Sequence, residues 1–235
     1  GQGLGAIGRL ADLFQLYSLP GRVTIGLVRI WLKPSTKPVF TPAATAQALL
    51  VSKVDGTPCG DGFYCKLTTS SLRIFLGDGL GHGLPAHKAV EQATSAMAQQ
   101  HDNSPAAWLN AIHRVAIGTR GLVGTAAMFS FANRKWTICG VGNIRTQLWG
   151  MSYTKSYVAQ NGILGYNMPR VLQECELPYE PGQYLVMASD GILTRWNPAR
   201  YPNVSRYDPM VLAAAIYKEY GRHTDDMSVA VARIH

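Results

Sequence analysis

Aspartates in short glycine-containing turns are the residues of this sequence most able to do chemistry. Asp78 follows an apolar run and opens a glycine-rich turn. Three further turns of the same kind adjoin apolar runs, and they contain Asp61, Asp190 and the pair Asp225 and Asp226. A carboxylate at the end of a strand is well placed to bind a metal ion, and four such turns in one chain favour a single shared cluster.

The ligand type indicates which metals such a cluster would bind. Carboxylate and carbonyl oxygens suit Mg²⁺ or Mn²⁺ better than zinc or copper. Crowded aspartates repel one another, so they converge only when cations neutralise them. Two such ions roughly 3.5–4 Å apart can activate a bridging water and stabilise an in-line displacement at phosphorus. The pattern therefore predicts two Mn²⁺ or Mg²⁺ ions and hydrolysis of a phosphate ester.

Seven motifs carry a family resemblance. In order they are Gly60-Asp61-Gly62, Asp78-Gly79-Leu80-Gly81-His82-Gly83, Gly124-Thr125-Ala126, Val141-Gly142-Asn143-Ile144, Asn161-Gly162-Ile163-Leu164-Gly165, Ser189-Asp190-Gly191-Ile192 and Asp225-Asp226-Met227-Ser228. Any single Asp-Gly pair is more readily explained as a turn. Together the motifs resemble the metal-dependent serine/threonine phosphatases of type 2C, in particular the bacterial branch typified by the stage II sporulation protein E phosphatase domain. The resemblance spans about residues 40 to 235.

The resemblance implies a role for individual residues. It assigns metal binding to Asp61, Asp78, Asp190 and Asp225 and to the carbonyl of Gly79, with Asp78 bridging both ions. Asp61 and Asp78 would thereby be the catalytic residues.

Asp226 and His82 are additional candidates. Animal members of the family place a histidine directly after the Asp-Gly pair as the general acid, whereas this chain has Leu80 there and His82 two residues later. His82 and His87 could also form a ligand pair, but we favour a loop histidine and a solvent-facing helix histidine. We therefore leave both out of the metal shell.

Cys139 and Arg145 form the C-x₅-R spacing of cysteine-dependent phosphatases. That chemistry needs a thiolate in a loop that opens a helix, so that backbone N–H groups and Arg can hold the phosphate. Here both residues lie in predicted strands around a Gly-Asn turn, with no helix following. We disfavour this alternative and expect the four cysteines to be reduced and structural.

Composition restricts the remaining classes. The chain has 235 residues, 47% of them hydrophobic, and no apolar stretch reaches the roughly 18 residues of a membrane span. There is no secretory start, so we expect a cytoplasmic protein without a membrane partner. The net charge of +8 divides into +4 for residues 1–37 and +4 for the rest. No nucleic-acid module is present, and we expect weak attraction to acidic protein surfaces rather than nucleic-acid binding.

The elements that must position these aspartates follow a mixed pattern. Apolar periodicity and capping residues predict helices over 85–100, 105–117 and 209–220. Apolar and alternating runs predict strands over 22–32, 48–54, 62–67, 72–77, 123–132, 135–141, 145–149, 173–177, 184–189 and 227–234. The resulting class is α+β, and the resemblance implies an antiparallel β-sandwich flanked by α-helices with the metals at one edge of the sheets.

Residues 1–33 resemble the C-terminal end of a histidine-kinase-type ATPase domain, as in anti-sigma-factor serine kinases. We predict a glycine box, an amphipathic helix over 11–17 and a strand there, then a linker over 34–39 and the phosphatase domain over 40–235. The chain begins with Gly rather than Met, so we expect a larger protein to precede it. We expect no ATP binding by this remnant, and we expect its apolar stripe to pack on the phosphatase or on a second copy.

The resemblance implies a protein phosphatase that hydrolyses phosphoserine and phosphothreonine through a metal-activated water. The substrate would be a phosphorylated anti-sigma-factor antagonist in a bacterial partner-switching pathway, with the opposing kinase or a second copy contacting residues 1–33. The alternative is a phosphatase-like module that senses or scaffolds without turnover. Retention of Asp61, Asp78, Asp190 and Asp225 argues against that alternative.

Overall fold

The computed structural model describes residues 3–32, 42–150 and 154–235. The elements are α1 (Gly3–Leu10), β1 (Leu13–Leu19), β2 (Val23–Arg29), β3 (Ala44–Val51), β4 (Asp61–Leu67), β5 (Ser71–Gly79), α2 (Leu84–Ala98), α3 (Pro105–Ala116), β6 (Leu122–Ser130), β7 (Lys135–Val141), β8 (Arg145–Trp149), β9 (Thr154–Tyr157), β10 (Cys175–Pro178), β11 (Tyr184–Ala188), α4 (Pro209–Tyr220) and β12 (Met227–Ile234). Two short 3₁₀ turns, Pro198–Arg200 and Val204–Arg206, precede α4.

Two five-stranded antiparallel sheets form the centre of the molecule. The first sheet has the order β10-β7-β6-β5-β4, and the second has the order β3-β12-β11-β8-β9. Because side chains alternate along a strand, β5 directs Ile74 and Leu76 between the sheets and Phe75 to the outer face. In the second sheet, Leu185 of β11 faces the space between the sheets and Val186 faces outward. Both faces of these strands are therefore buried, which explains their continuous apolar runs.

Helices cover the outer face of each sheet. α2 and α3 pack on the first sheet, where Trp108 and Ile112 are fully buried. α4 packs on the second sheet and buries Ile216 in the same core as Val186. The layers thus follow the order helix, sheet, sheet, helix, and the predicted α+β sandwich flanked by helices is confirmed.

The three predicted helices are present within one or two residues of their predicted ends. α3 begins after Ser104, whose hydroxyl accepts a hydrogen bond from Ala107 N at 3.1 Å. α4 begins after Asp208, whose carboxylate accepts from Met210 N at 3.0 Å. Such caps satisfy backbone donors that have no partner inside the helix. No helix in the described ranges is long and apolar enough to cross a membrane.

The prediction of a helix over 11–17 is wrong. Leu13–Leu19 is strand β1, and it pairs with β2 over seven residues through a turn at Gly21, which has φ +71°. The apolar spacing here fits either a short helix or a strand, and pairing with β2 decides for the strand because it satisfies the backbone groups.

The β1–β2 hairpin packs on the rest of the protein as expected for this segment. Tyr17 and Val23 are buried in the core that contains α4. Arg22 pairs with Glu219 at 2.8 Å, and Arg29 pairs with Asp208 at 2.9 Å. The interpretation of residues 1–33 as an ATPase remnant stays a prediction, and the predicted linker lies outside the described residues.

Candidate active site

Antiparallel pairing of β4 and β5 brings the first two aspartates together. Asp61 begins β4 and lies directly opposite Asp78, near the end of β5. Directly opposed residues point to the same face, with Cβ atoms about 4.5–5.5 Å apart. Gly79 N donates to Gly60 O at 2.9 Å, which holds the two strand ends together beyond this pair. The hairpin therefore places two carboxylates side by side at one edge of the first sheet.

The second sheet contributes further aspartates at the same edge. Asp190 lies two residues beyond the end of β11, and Asp225 and Asp226 immediately precede β12. β11 and β12 are antiparallel neighbours, so the end of one lies beside the start of the other. Ser189 joins the two sheets, because its hydroxyl donates to Asp61 Oδ2 at 2.7 Å. We call the group of Asp61, Asp78, Asp190, Asp225 and Asp226 the acidic edge.

Within the described ranges, no aspartate of the acidic edge forms an ion pair with Lys, Arg or His. Burial raises the pKa of Asp78 to about 9, and repulsion from the other four aspartates adds to this rise. Burial likewise raises the pKa of Asp61 to about 6, with repulsion from Asp226 and Asp190, although the Ser189 hydrogen bond opposes the shift. No Lys or Arg is among the groups that shift either pKa. A cation supplied from solution would reverse this penalty.

The donor set suits a divalent cation. Asp61 is 5% exposed, and among the described residues its Oδ1 atom has no partner at hydrogen-bonding geometry, although the Ser228 hydroxyl lies close enough to lower the pKa of this carboxyl. As the side chains stand, the described residues contain no group of three or more His, Cys, Asp or Glu side chains that could close around an ion. The fit to a divalent cation therefore rests on the oxygen chemistry of the aspartates and not on a closed ligand shell.

Gly79 also fits its predicted position. A Cβ atom at this residue would lie 2.4 Å from the carbonyl oxygen of Ala86. Only glycine therefore permits the first turn of α2 to approach the end of β5 this closely. Its carbonyl as a metal ligand stays a prediction.

Asp226 and Asp225 make different contacts. Asp226 is 4% exposed, and its two oxygens accept from Lys53 N at 2.6 Å and from Gly60 N at 2.7 Å. These bonds tie the loop before β4 to the start of β12, so Asp226 has a structural function whether or not it also contacts metal. Asp225 is half-buried and accepts from Asp226 N at 2.9 Å.

Two contacting residues were not given a role by sequence reasoning. Asn143 donates to Asp190 Oδ2 at 3.1 Å and orients that exposed carboxylate. Ser189 holds Asp61, as described above, and also accepts from Ser228 N at 3.0 Å. Both residues occur in the recognised motifs, but a motif does not reveal which atom each side chain contacts.

The two histidines occupy different environments. His82 is exposed in the loop between β5 and α2, and its role as an additional site residue stays a prediction. His87 Nδ1 lies 2.9 Å from Cys59 O and links α2 to the loop before β4. That contact gives His87 a structural explanation.

The cysteine-dependent alternative is wrong. Cys139 is fully buried in the core beneath α2 and α3, and burial raises the pKa of its thiol to about 12. Arg145 begins β8 in the second sheet, where its guanidinium lies over the Trp196 ring at 5.8 Å. No helix follows Cys139, since β7 continues to Val141. A neutral, buried thiol on the other sheet cannot act with this arginine on a phosphate. All four cysteines are free.

Comparison with known proteins relates this chain to phosphatases. The family model described as stage II sporulation protein E (SpoIIE) matches residues 68–235, a segment that includes Asp78, Asp190 and Asp225 but begins after Asp61. The phosphoserine phosphatase RsbX of Bacillus subtilis (strain 168) is 25% identical over 136 residues, which cover 57% of this chain and 67% of RsbX.

Solved structures show the same architecture. A chain from a structure of the bacterial stressosome is 29% identical, with a TM-score of 0.75 over 81% of this chain and 99% of that one. RsbX in complex with magnesium is 16% identical, with a TM-score of 0.73 over 95% of this chain and 100% of that one. The PP2C domain of SpoIIE from Bacillus subtilis is 18% identical, with a TM-score of 0.66 over 81% of this chain and 63% of that one. The last two comparisons demonstrate a shared fold.

Proposed function

The chain belongs to the stage II sporulation protein E (SpoIIE) family, and on that premise we propose that it hydrolyses phosphoserine and phosphothreonine in a protein substrate with the help of divalent cations. The predicted enzyme class, a type 2C-like phosphatase, is confirmed by this membership and by the similarity to RsbX. The single observation that carries the mechanism is the opposed pair of buried Asp61 and half-buried Asp78, neither of which forms an ion pair with a described Lys or Arg.

Asp61, Asp78, Asp190 and Asp225, together with the carbonyl of Gly79, would hold two Mn²⁺ or Mg²⁺ ions. Such ions supply charge neutralisation at the phosphoryl oxygens and an activated water as the nucleophile. Support for this proposal comes from the donor chemistry of the acidic edge and from the relative RsbX, which was crystallised with magnesium.

The chain itself supplies positioning. The β4–β5 pairing fixes Asp61 against Asp78, Ser189 restrains Asp61, and Asn143 restrains Asp190. In the reaction, water adds to phosphorus, the bond from phosphorus to the serine oxygen breaks, and that oxygen takes up a proton. We propose His82 as the proton donor, because it lies four residues after Asp78 in the same turn.

The substrate we propose is a phosphorylated anti-sigma-factor antagonist. The support is the likeness to RsbX, a phosphoserine phosphatase, and to a chain of the bacterial stressosome. Contact of a kinase or of a second copy with residues 1–33 remains part of the proposal, and the cytoplasmic location stays a prediction.

Metal-dependent turnover distinguishes the enzyme from the sensing or scaffolding alternative. The purified chain, treated with EDTA, is assayed on p-nitrophenyl phosphate and on phosphoserine, phosphothreonine and phosphotyrosine peptides, and Mn²⁺ or Mg²⁺ is then added. We expect no hydrolysis in EDTA, recovery with either ion, and preference for phosphoserine and phosphothreonine. A chain that stays inactive on every substrate with both ions would support the non-catalytic alternative.

A further inference from the structure

A groove opens near the turn that follows Asp78. It has a volume of about 420 Å³ and is lined by Pro85, Lys88, Gln92, Gly118, Thr119 and Arg120. The first three residues form one stripe on α2, and the other three belong to the loop between α3 and β6. We call this feature the basic groove, because its lining contains two cations and no acidic side chain.

The two cations are exposed and unpaired. Within the described part of the chain, neither Lys88 nor Arg120 makes a side-chain hydrogen bond or an ion pair. Glu91 lies one turn from Lys88 on α2, but it does not line the basic groove and forms no ion pair with Lys88. By contrast, Arg22, Arg29 and Lys135 each hold a carboxylate partner.

Arg120 is held in place by its loop. Thr119 donates from its hydroxyl to Ala116 O at 2.6 Å and accepts from Gly121 N at 3.0 Å. Gly121 O in turn accepts from Leu80 N at 3.0 Å, which fastens this loop to the turn that follows Asp78. The backbone that carries Arg120 is therefore hydrogen-bonded to the turn that follows Asp78.

Arg120 brings the basic groove next to the turn that follows Asp78. A Cβ atom built on Gly81 would lie 2.7 Å from Arg120 Nη1, so the guanidinium rests against a residue three positions after Asp78. From Pro85 to Gln92 the helix then rises by about 10 Å, at roughly 1.5 Å per residue. An extended peptide spans that distance with about three residues, at roughly 3.3–3.6 Å each.

We propose that Arg120 and Lys88 are specificity-determining residues that bind acidic side chains within about three residues of the phosphoserine in the protein substrate. This inference rests on the proposed function. The proposed occupant of the basic groove is an acidic segment of a phosphopeptide. Its negative charges would complement Lys88 and Arg120, which have no acidic neighbour in the groove lining. The phosphate itself would bind at the acidic edge, together with the proposed divalent metal ions.

The test compares two phosphoserine peptides, one with Asp or Glu at the three flanking positions on either side and one with Ala there. Wild type is expected to favour the acidic peptide. In the double variant Lys88→Ala, Arg120→Ala, the ratio of kcat/KM for the acidic peptide over the neutral one should fall by about three- to tenfold, the order expected for two exposed ion pairs. The change should appear in KM rather than kcat and should shrink at high salt.

Arg114→Ala is the matched control, because Arg114 is exposed on α3 but does not line the basic groove. It should leave the peptide ratio unchanged. A charge reversal, Arg120→Glu, should shift preference toward a peptide with Lys at the flanking positions. Circular dichroism confirms that each variant is folded.

The outcomes separate this inference from the proposed function. Wild type that hydrolyses both peptides without preference, or a double variant that keeps the wild-type ratio, would overturn the role of the basic groove alone. An equal loss on both peptides would also overturn it, since Arg120 would then act on the phosphate or the metal centre. Wild type that is inactive on p-nitrophenyl phosphate and on both peptides with Mn²⁺ would overturn the proposed function itself.

Discussion

Carboxylates with little solvent exposure occur on two sides of this molecule, and their partners differ. Beside the β1–β2 hairpin, Glu219 pairs with Arg22 and Asp208 pairs with Arg29. At the acidic edge, Asp61 and Asp78 form no ion pair with any Lys or Arg that the structure describes. A carboxylate that is removed from water without a partner is costly. The ion pairs on the hairpin side therefore stabilise the fold, whereas the acidic edge is the place where the proposed divalent cations would offset the repulsion between carboxylates.

The substitution Asp78→Asn tests the acidic edge and should have the largest effect. It removes a charge from the proposed ion site while keeping size and turn preference. We expect the Mn²⁺-dependent kcat to fall by about 10²-fold or more, which corresponds to several kcal/mol of transition-state stabilisation. Steady-state kinetics on p-nitrophenyl phosphate measure the loss.

Asp102→Asn, in an exposed loop between α2 and α3, is the matched control and should retain full activity. A folded Asp78→Asn variant with wild-type, EDTA-resistant activity would show that Asp78 only shapes a turn.

The pH dependence of stability without metal tests the same edge. The folded pKa of Asp78 is raised to about 9 from an ordinary value of 3.8. Between these values the folded state holds a proton that the unfolded state has lost, so this group lowers stability as pH rises from about 4 to about 9. In EDTA, the Tm of wild type should therefore fall further across this pH window than the Tm of the Asp78→Asn variant.

Divalent cations should reverse that loss. At pH 8, Mn²⁺ should raise the Tm of wild type, because an ion that binds only the folded state stabilises it. It should raise the Tm of Asp78→Asn less. Parallel pH curves for the two proteins in EDTA would contradict the proposed electrostatics.

The substitution Glu219→Gln tests whether the ion pair beside the β1–β2 hairpin contributes to stability and not to activity. Glu219 accepts hydrogen bonds from Arg22 Nε at 2.9 Å and Nη2 at 2.8 Å, and also from Tyr201. Loss of this charge should lower the free energy of unfolding by about 1–2 kcal/mol, because Glu219 is partly buried and accepts three hydrogen bonds. The kcat with Mn²⁺ should stay within about twofold of wild type, because this ion pair is not part of the acidic edge. Urea denaturation and the phosphatase assay measure the two effects.

The matched control is Glu176→Gln, which removes an exposed ion pair with Lys135. Exposed pairs contribute about 0–1 kcal/mol, so its effect on unfolding should be smaller. If Glu219→Gln instead abolished activity at unchanged stability, the division between the two sides would fail.

Thiol modification should have the smallest effect. Burial raises the pKa of Cys59 to about 12, of Cys65 to about 11 and of Cys139 to about 12. Little thiolate therefore forms between pH 7 and 9, and iodoacetamide should alkylate these residues more slowly than free cysteine. Mass spectrometry follows the labelling, and Cys139→Ser should keep Mn²⁺-dependent activity. Loss of activity in that variant would restore the cysteine mechanism.

The helices α2, α3 and α4 and most strands could be predicted because their signals are local, whereas α1 formed where a glycine box was expected. Pro105 after Ser104 and Pro209 after Asp208 start two helices with caps that the structure contains. Strand β9 was missed because four mostly exposed residues carry no apolar pattern. The helix expected over 11–17 failed for the opposite reason, since its apolar pattern was ambiguous and its strand partner lies beyond a turn.

The sequence by itself determined the acidic turns, their order along the chain and the family, because these depend on residue type and spacing. Only the tertiary structure decided which contacts each aspartate makes. Asp225 and Asp226 are adjacent in sequence, yet Asp226 binds two backbone N–H groups more than 160 residues away. Likewise, the two residues of the C-x₅-R spacing do not form a site, because Cys139 and Arg145 lie in different sheets. A side chain's chemistry depends on its burial and its neighbours, and those neighbours come from distant parts of the chain.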